Sequence, residues 1–202
     1  AVMADAKRDF FLAKSFYHWL ATLFLNNFHR KPVCLFPRGL EECLFCREYP
    51  GQLLKALAGF ALTSVTGVDV DPDIVACCRT TRWPWAPRFF CADFLEWSPS
   101  DHFDLAVMNP PFEGGQTERH IMRALEFCDR VVCHCPLTTL AGQDRYKGVW
   151  SKVELQRLAI CSTRPKYSAD GGMTDMCTIE VELASEYRRA HRTHEVRVEF
   201  WP

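Results

Sequence analysis

The sequence has little net charge and no long apolar run. Its 24 lysines and arginines are balanced by 25 aspartates and glutamates, so the formal net charge is −1. Proteins that wrap around nucleic acid are often more basic than this, so any basic surface must be local. No apolar run reaches the roughly 18 residues that suggest a membrane span. The first residues also lack the apolar core of a signal peptide, and we expect no membrane association.

Cysteine, in contrast, is abundant: the chain has 11 cysteines, and most lie in apolar runs such as 131–135. Free cysteine packs as a small hydrophobe, so we expect a reduced, cytoplasmic protein that needs no disulfide. Two spacings could suggest zinc, at Cys43 and Cys46 and at Cys133-His134-Cys135. The second group lies in a predicted strand, where adjacent side chains point to opposite faces. We therefore expect core cysteines and no bound metal.

The pattern of apolar residues predicts one domain in which strands and helices alternate. The amino-terminal segment, 1–42, contains a predicted helix over 9–28 and then an irregular stretch broken by prolines. The predicted core spans 43–183, and the tail, 184–202, ends in an alternating stretch typical of an edge strand. Such alternation favours an α/β fold with a mostly parallel sheet and an antiparallel hairpin at one edge. The predicted strands are 43–46, 61–70, 88–91, 103–108, 131–135, 159–164 and 176–183, and the predicted helices after residue 42 are 52–61, 72–79, 117–128 and 149–158.

Polar side chains follow three of the predicted strands. Asp69 ends one strand, Asp93 follows the next, and Asn109 follows a third. In open α/β sheets, ligands bind beyond the carboxyl ends of the strands. We therefore expect these three residues to lie at one edge of the sheet and to form a binding site there.

The strongest motif is Asn109-Pro110-Pro111-Phe112, directly after an apolar strand. Two prolines cannot extend a central strand, and they stiffen the turn, so the amide of Asn109 is held at the sheet edge. The Asn109 amide oxygen and the Pro110 carbonyl could then accept the two hydrogens of a ring-conjugated amine and turn its lone pair toward a methyl donor. Phe112 could stack on the ring, which is worth about 1–3 kcal/mol per base.

This motif resembles that of S-adenosylmethionine-dependent amino-methyltransferases. The longer stretch MNPPFEGGQTERHIMRALEF resembles bacterial and phage N6-adenine DNA methyltransferases, whose Gly- and Gln-containing loop leads into a helix with an early His. The resemblance covers roughly residues 43–183. It implies a Rossmann-like class I fold, S-adenosyl-L-methionine as cofactor, DNA as partner and methyl transfer to N6 of adenine. The catalytic residues that it implies are Asn109, Pro110, Pro111 and Phe112.

The same resemblance implies a cofactor site. The Asp69 carboxylate would accept from the ribose hydroxyls, and Asp93 would accept from the adenine amino group, with Phe94 packed on the ring. Helix capping by Asp71 or Asp73 and a turn role for Asp93 are the structural alternatives. The implied cofactor-binding residues are Phe10, Phe11, Gly51, Asp69, Val70, Asp93, Phe94 and Asn109.

Two features keep other functions open. Similar motifs occur in RNA and protein-glutamine methyltransferases, so either target is an alternative, as are a protein partner and a homodimer. With 43–46 as first strand, Tyr49 stands where the family has a glycine, and tyrosine is poorly tolerated at positive φ. We expect weakened cofactor binding, which favours a catalytically silent methyltransferase-like subunit as a further alternative.

Arg145 and Lys147 follow a predicted strand and could contact phosphates.

Overall fold

The computed structural model describes residues 32–36, 64–83, 86–162, 174–185 and 196–201, with the backbone alone for 32–36 and 201. The strands in these ranges are β1 (Pro32–Phe36), β2 (Thr66–Asp69), β3 (Arg88–Cys91), β4 (Phe103–Met108), β5 (Cys128–Pro136), β6 (Val153–Cys161), β7 (Met176–Leu183) and β8 (Arg197–Trp201). The helices are α1 (Pro72–Thr80) and α2 (Gln116–Ala124), with shorter helical turns at Glu113–Gly115, Leu137–Leu140, Gln143–Arg145 and Tyr146–Trp150.

These strands form one sheet of eight, in the order β3-β2-β1-β4-β5-β7-β6-β8. The first five in this order run parallel to one another. Strand β7 is antiparallel to β5 and β6, and β8 is parallel to β6. The predicted α/β class, its mostly parallel sheet and its antiparallel hairpin are confirmed, as is the edge strand in the tail.

The central strand β1 lies where the sequence predicted an irregular stretch, so that prediction is wrong for Pro32–Phe36. Pro32 opens the strand, a position where its missing N–H is tolerated, and Pro37 directly follows its end. Between the two prolines lies a short apolar run that pairs with both β2 and β4. The predicted strand 43–46 lies outside the described residues.

Strand β6 lies where a helix was predicted over 149–158, and a β-bulge explains the error. Its pairing with β7 shifts register between Leu155 and Arg157. The extra residue places Leu155 opposite Val181 and Leu158 opposite Ile179, on the same side of the sheet. Apolar residues three positions apart are typical of one face of a helix. Because the bulge puts Leu155 and Leu158 at this spacing, the sequence of β6 resembles that of a helix.

Helix α2 packs against strand β5 on one face of the sheet. Its buried residues are Thr117, His120, Ile121 and Ala124, which is helical spacing. The helix ends at Ala124, earlier than predicted, because a turn over 125–127 leads into β5. Apolar side chains of β5 and β7 pack under the helical elements of this face and form the described core.

Most cysteines within the described ranges are buried, as predicted for small core residues, whereas Cys77 and Cys161 are half-buried and Cys91 is exposed. Cys128, Cys133, Cys135 and Cys177 are buried, and all are free thiols. In the same ranges, no group of three or more His, Cys, Asp or Glu side chains is placed to hold a metal ion. None of the helices described in these ranges is long and apolar enough to cross a membrane. Cys43 and Cys46 fall outside them.

Candidate functional site

The three polar residues expected at one sheet edge do lie there. Asp69 is the last residue of β2, Asp93 follows β3, and Asn109 directly follows β4. Strands β2, β3 and β4 belong to the parallel part of the sheet, so their carboxyl ends share one edge. The geometric prediction is confirmed, and this edge is the candidate site.

Asp69 is a buried carboxylate whose surroundings disfavour its ionised form. Only 3% of the residue is exposed, and its Oδ1 accepts from the backbone N–H of Asp71 at 2.8 Å. Its Oδ2 is buried and has no hydrogen-bond partner. Burial raises the pKa of Asp69 to about 7, and the nearby Asp71 charge adds to the rise, although the backbone N–H groups of Asp71 and Val70 oppose it. An unpartnered buried oxygen is costly, and a ligand hydroxyl could satisfy it.

The neighbours of Asp69 have structural roles. The Asp71 side chain caps α1, because its Oδ1 accepts from the N–H groups of Asp73 at 2.8 Å and Ile74 at 3.4 Å. The capping alternative is therefore correct for Asp71. The Val70 carbonyl accepts from the Cys91 thiol, with Sγ and O 3.6 Å apart, which ties the ends of β2 and β3 together.

Asp93 and Phe94 form a turn packed against α2. Asp93 Oδ1 accepts from the Leu95 N–H at 2.9 Å, as the turn alternative expected. The Phe94 ring is 4% exposed and stacks on the His120 ring, with centroids 5.5 Å apart. It also meets the edge of Phe127. This burial leaves almost no ring surface for a ligand and corrects the expectation that the Phe94 side chain packs on a cofactor.

The proline motif forms a closed loop that ends on α2. Asn109 Oδ1 is buried without a partner. The Pro111 carbonyl accepts from Thr117 Oγ1 at 2.9 Å, which fastens the loop to the first turn of the helix. The Phe112 residue is 37% exposed, so its ring has surface free to stack on a ligand. The chain returns to α2 through Gly114 and Gly115, whose φ angles are 59° and 73°.

Gln116 and His120 complete this loop, and no role was predicted for either from the sequence. His120 Nδ1 lies 2.7 Å from the Gln116 carbonyl, a geometry in which the ring N–H donates. Burial is the main cause of a lowered pKa of His120. Gln116 Oε1 is a further buried oxygen without a partner. Three unpartnered oxygens, one each on Asp69, Asn109 and Gln116, therefore belong to this edge.

Arg145 supports the site from the segment after β5, residues 137–150. Its guanidinium binds the Glu118 carboxylate of α2 and donates to the carbonyls of Thr138 at 3.0 Å and Ala141 at 3.1 Å. These bonds give Arg145 a structural role, and because its side chain is still 41% exposed, the expected phosphate contact stays a prediction. Lys147 is exposed.

Three predicted cofactor residues lie outside the described ranges, namely Phe10, Phe11 and Gly51. Gly51 and Tyr49 were placed after a first strand at 43–46, and the observed β1 removes that basis because the residues that directly follow it are Pro37, Arg38 and Gly39. Their roles in cofactor binding stay predictions.

Comparison with solved structures finds the same architecture in methyltransferases. One is PH1948 of Pyrococcus horikoshii, assigned as an RNA methyltransferase, at 17% identity and a TM-score of 0.61, over 86% of this chain and 85% of that one. Another is the N-methyltransferase NodS of Bradyrhizobium japonicum with S-adenosyl-L-homocysteine, at 18% identity and a TM-score of 0.60, over 85% and 87%. A third is a modification subunit, from Vibrio vulnificus, assigned to a type I restriction enzyme, at 10% identity and a TM-score of 0.56, over 84% and 43%. No family model and no curated protein matches the sequence. The chain therefore has the class I fold of S-adenosylmethionine-dependent methyltransferases.

Proposed function

We propose that the chain is a methyltransferase that uses S-adenosyl-L-methionine to methylate an exocyclic amino group, with N6 of adenine in DNA as the preferred target. The observation that carries the proposal is the pair of buried, unpartnered oxygens, Asp69 Oδ2 and Asn109 Oδ1, at the carboxyl edge of the parallel strands. One acceptor suits hydroxyl groups of a cofactor and the other suits a hydrogen of the target amine.

The cofactor fits the described residues at Asp69. S-adenosyl-L-methionine supplies a methyl group on a sulfonium when it is bound. Asp69 Oδ2 has free lone pairs, and its Oδ1 is fixed by the Asp71 N–H, so the carboxylate is oriented before any ligand binds. The ribose hydroxyls are donors of the kind that such a carboxylate accepts. Bonds from them would also offset the burial that raises the pKa of Asp69.

Asn109 acts on the target amine. An amine conjugated to a ring is a poor nucleophile, because its lone pair is delocalised into that ring. The buried Oδ1 of Asn109 accepts one amine hydrogen and holds the nitrogen in a geometry in which the lone pair leaves the ring plane. The rigid proline turn fixes this oxygen in advance, and positioning of this kind supplies most of the catalysis that methyl transfer needs.

The nucleic-acid target rests on Phe112 and on the proteins that share the fold. An exposed aromatic ring beside the catalytic amide can stack on any base, and a base in a duplex must be flipped out to reach it. PH1948 is assigned as an RNA methyltransferase, and the Vibrio vulnificus protein is assigned as a modification subunit of a type I restriction enzyme. RNA is therefore the second candidate substrate. A protein glutamine ranks below both, since no described feature favours it.

Two measurements on the purified chain test this function. Calorimetric titration with S-adenosyl-L-homocysteine reports cofactor binding. Methyl transfer is measured from tritiated S-adenosyl-L-methionine to adenine-containing DNA, RNA and a glutamine peptide. We expect binding by the wild type and transfer to DNA. Asp69→Asn should lose binding, whereas Asn109→Ala should keep binding and lose transfer.

The matched control is Asp129→Asn, an exposed carboxylate near the start of β5, at the opposite edge of the sheet. It should change neither measurement. Absence of binding by the wild type would overturn the enzyme proposal and favour a silent subunit. Transfer to RNA or to peptide in preference to DNA would replace the proposed target.

A further inference from the structure

The motif loop, residues 109–115, has no backbone N–H at either of its two prolines. Pro110 and Pro111 both lack the donor that other residues contribute, so backbone hydrogen bonds can hold these positions only through their carbonyl oxygens. The structure shows such a bond at Pro111, whose carbonyl accepts from Thr117 Oγ1 at 2.9 Å. Only 1% of Thr117 is exposed, so solvent competes little for this donor.

The two prolines make the turn stiff, but they do not by themselves set where it lies relative to the sheet. Each ring fixes its own φ, and each proline restricts the residue before it, so Asn109 and Pro110 have few backbone conformations. The ψ angle of Pro111 has no such restriction, because Phe112 follows it. With β4 as its only attachment, the stiff turn could therefore swing as a unit. The bond from Thr117 supplies a second attachment.

The first turn of α2, which carries Thr117, is held from two directions. On the side of the core, the His120 ring stacks on the buried Phe94 ring, with centroids 5.5 Å apart. On the other side, the Glu118 carboxylate binds the Arg145 guanidinium of the segment after β5. The position of Thr117 is therefore well defined, and its bond passes that position on to the proline turn.

We propose that Thr117 is a positioning residue for methyl transfer, because its hydroxyl holds the proline turn where the acceptors of the turn meet the target amine. Those acceptors are the amide oxygen of Asn109 and the carbonyl of Pro110, one for each hydrogen of the amine. Thr117 acts through the Pro111 carbonyl and not by contact with the amine or the cofactor. This inference rests on the proposed function and names a residue on which the geometry of that site depends.

Loss of this bond should slow methyl transfer more than it weakens binding. Thr117→Val removes the hydroxyl and keeps the shape of the side chain, so the turn is free to shift while the helix remains packed. Because a misplacement of about 1 Å at the reacting groups can cost about 100-fold in rate, we expect kcat to fall roughly 10-fold to 100-fold. The KM for the acceptor and the affinity for S-adenosyl-L-homocysteine should stay close to those of the wild type. Thr117→Ala removes the same donor and should show the same fall in kcat.

A conservative variant and a matched control separate positioning from general stability. Thr117→Ser keeps a hydroxyl that can donate to the same carbonyl, so it should keep most of the turnover. Thr178 of β7 is also buried, and its hydroxyl lies 3.0 Å from His134 Nδ1. Its neighbours Cys177 and Ile179 belong to the core on the α2 side, so Thr178 points to the opposite face of the sheet. Thr178→Val should therefore lower thermal stability and leave kcat unchanged.

The experiment measures steady-state methyl transfer to DNA, RNA and a glutamine peptide by the wild type and these four variants, below the melting temperature of each. Calorimetric titration with S-adenosyl-L-homocysteine is run on the same samples. If the wild type is active and Thr117→Val and Thr117→Ala keep its kcat, the role of Thr117 is overturned alone. An equal loss of kcat in Thr117→Ser or in Thr178→Val would overturn it as well. If the wild type transfers no methyl group to any acceptor, the proposed function and this inference are overturned together.

Discussion

Asp69 is buried in the fold, and burial opposes the negative charge with which its carboxylate would accept from a ligand. Burial disfavours the ionised form of the carboxyl and, with the nearby Asp71 charge, raises its pKa to about 7 from the ordinary value of 3.8. The folded state therefore holds a proton in a pH range where the unfolded chain has lost it. Because the folded state binds more protons there, its stability falls as pH rises from the unfolded pKa through the folded one. Asp69 therefore lowers the stability of the folded state at neutral and higher pH, and its Oδ2 remains without a partner in the fold.

This gives a stability prediction for Asp69→Asn. The amide has no charge to desolvate, so the variant should melt at a higher temperature than the wild type at about pH 8, by a smaller margin at about pH 5, and at nearly the same temperature below the ordinary pKa of 3.8. Thermal unfolding followed by circular dichroism at these pH values measures the difference. Asp129→Asn, whose carboxylate is exposed, should show no such pH-dependent gain. A gain of equal size at all these pH values would contradict the assignment of the effect to ionisation.

Ligand affinity should change with pH in the opposite sense. The ionised carboxylate accepts hydroxyl groups better than the protonated one does, so S-adenosyl-L-homocysteine should bind more weakly as pH falls through about 7. Calorimetry across this range measures the affinity. Residual binding by Asp69→Asn should be independent of pH in the same range, and a wild-type affinity that does not change with pH would show that Asp69 is not the acceptor.

Sequence reasoning found Asp69 and Asn109 because their signals are local: each follows an apolar strand, and Asn109 precedes two prolines. It did not foresee the burial of Phe94 or the ion pair of Arg145, because both environments depend on distant residues. Phe94 packs on His120, and Arg145 binds Glu118, both of which belong to α2. No role was assigned to Gln116, because a buried oxygen without a partner is visible only in the packed structure.

At the scale of the elements, the glycines before α2 control the shape of the motif loop. Gly114 has a φ of +59°, and a Cβ there would meet nothing within 4 Å. Gly114→Ala should therefore lose only the backbone preference, roughly 1–2 kcal/mol of unfolding free energy. Gly114→Asn should lose less, since asparagine tolerates the left-handed conformation better. Urea unfolding measures both, and an equal loss in the two variants would refute the conformational explanation.

Arg145 joins the segment after β5 to α2, and its removal should leave a mostly buried charge behind. The Glu118 side chain is only 12% exposed. Arg145→Met should destabilise the fold by about 1–3 kcal/mol, because Glu118 and two carbonyls lose their donor. Adding Glu118→Gln should recover part of that loss, as a double-mutant cycle would measure. Full additivity of the two substitutions would indicate that the ion pair contributes nothing.

Strands β1 and β6 were not predicted from the sequence pattern, because both depend on pairing with other strands. Strand β1 is a short apolar run between prolines, and the run at 43–46 has an equally suitable composition for a strand. Composition alone therefore does not show which of the two runs is the central strand, whereas the pairing of β1 with β2 and β4 does. Strand β6 loses its alternation at the bulge, and the bulge is a property of its pairing with β7. Strands whose pattern was regular, such as β3, β4 and β7, were predicted with the observed bounds.

For the molecule as a whole, the sheet order has a consequence for how the chain folds as it is synthesised. Strand β7 lies between β5 and β6, although it follows both in the chain. In the described sheet, β6 pairs only with β7 and β8, so it leaves the ribosome before either of its neighbours exists. The parallel half of the sheet can assemble in the order of translation, whereas β6 must wait with an unpaired backbone until β7 arrives. This strand order allows a stage in which the carboxyl edge of β1 to β4, the candidate site, is organised while the opposite side of the sheet still has an open strand.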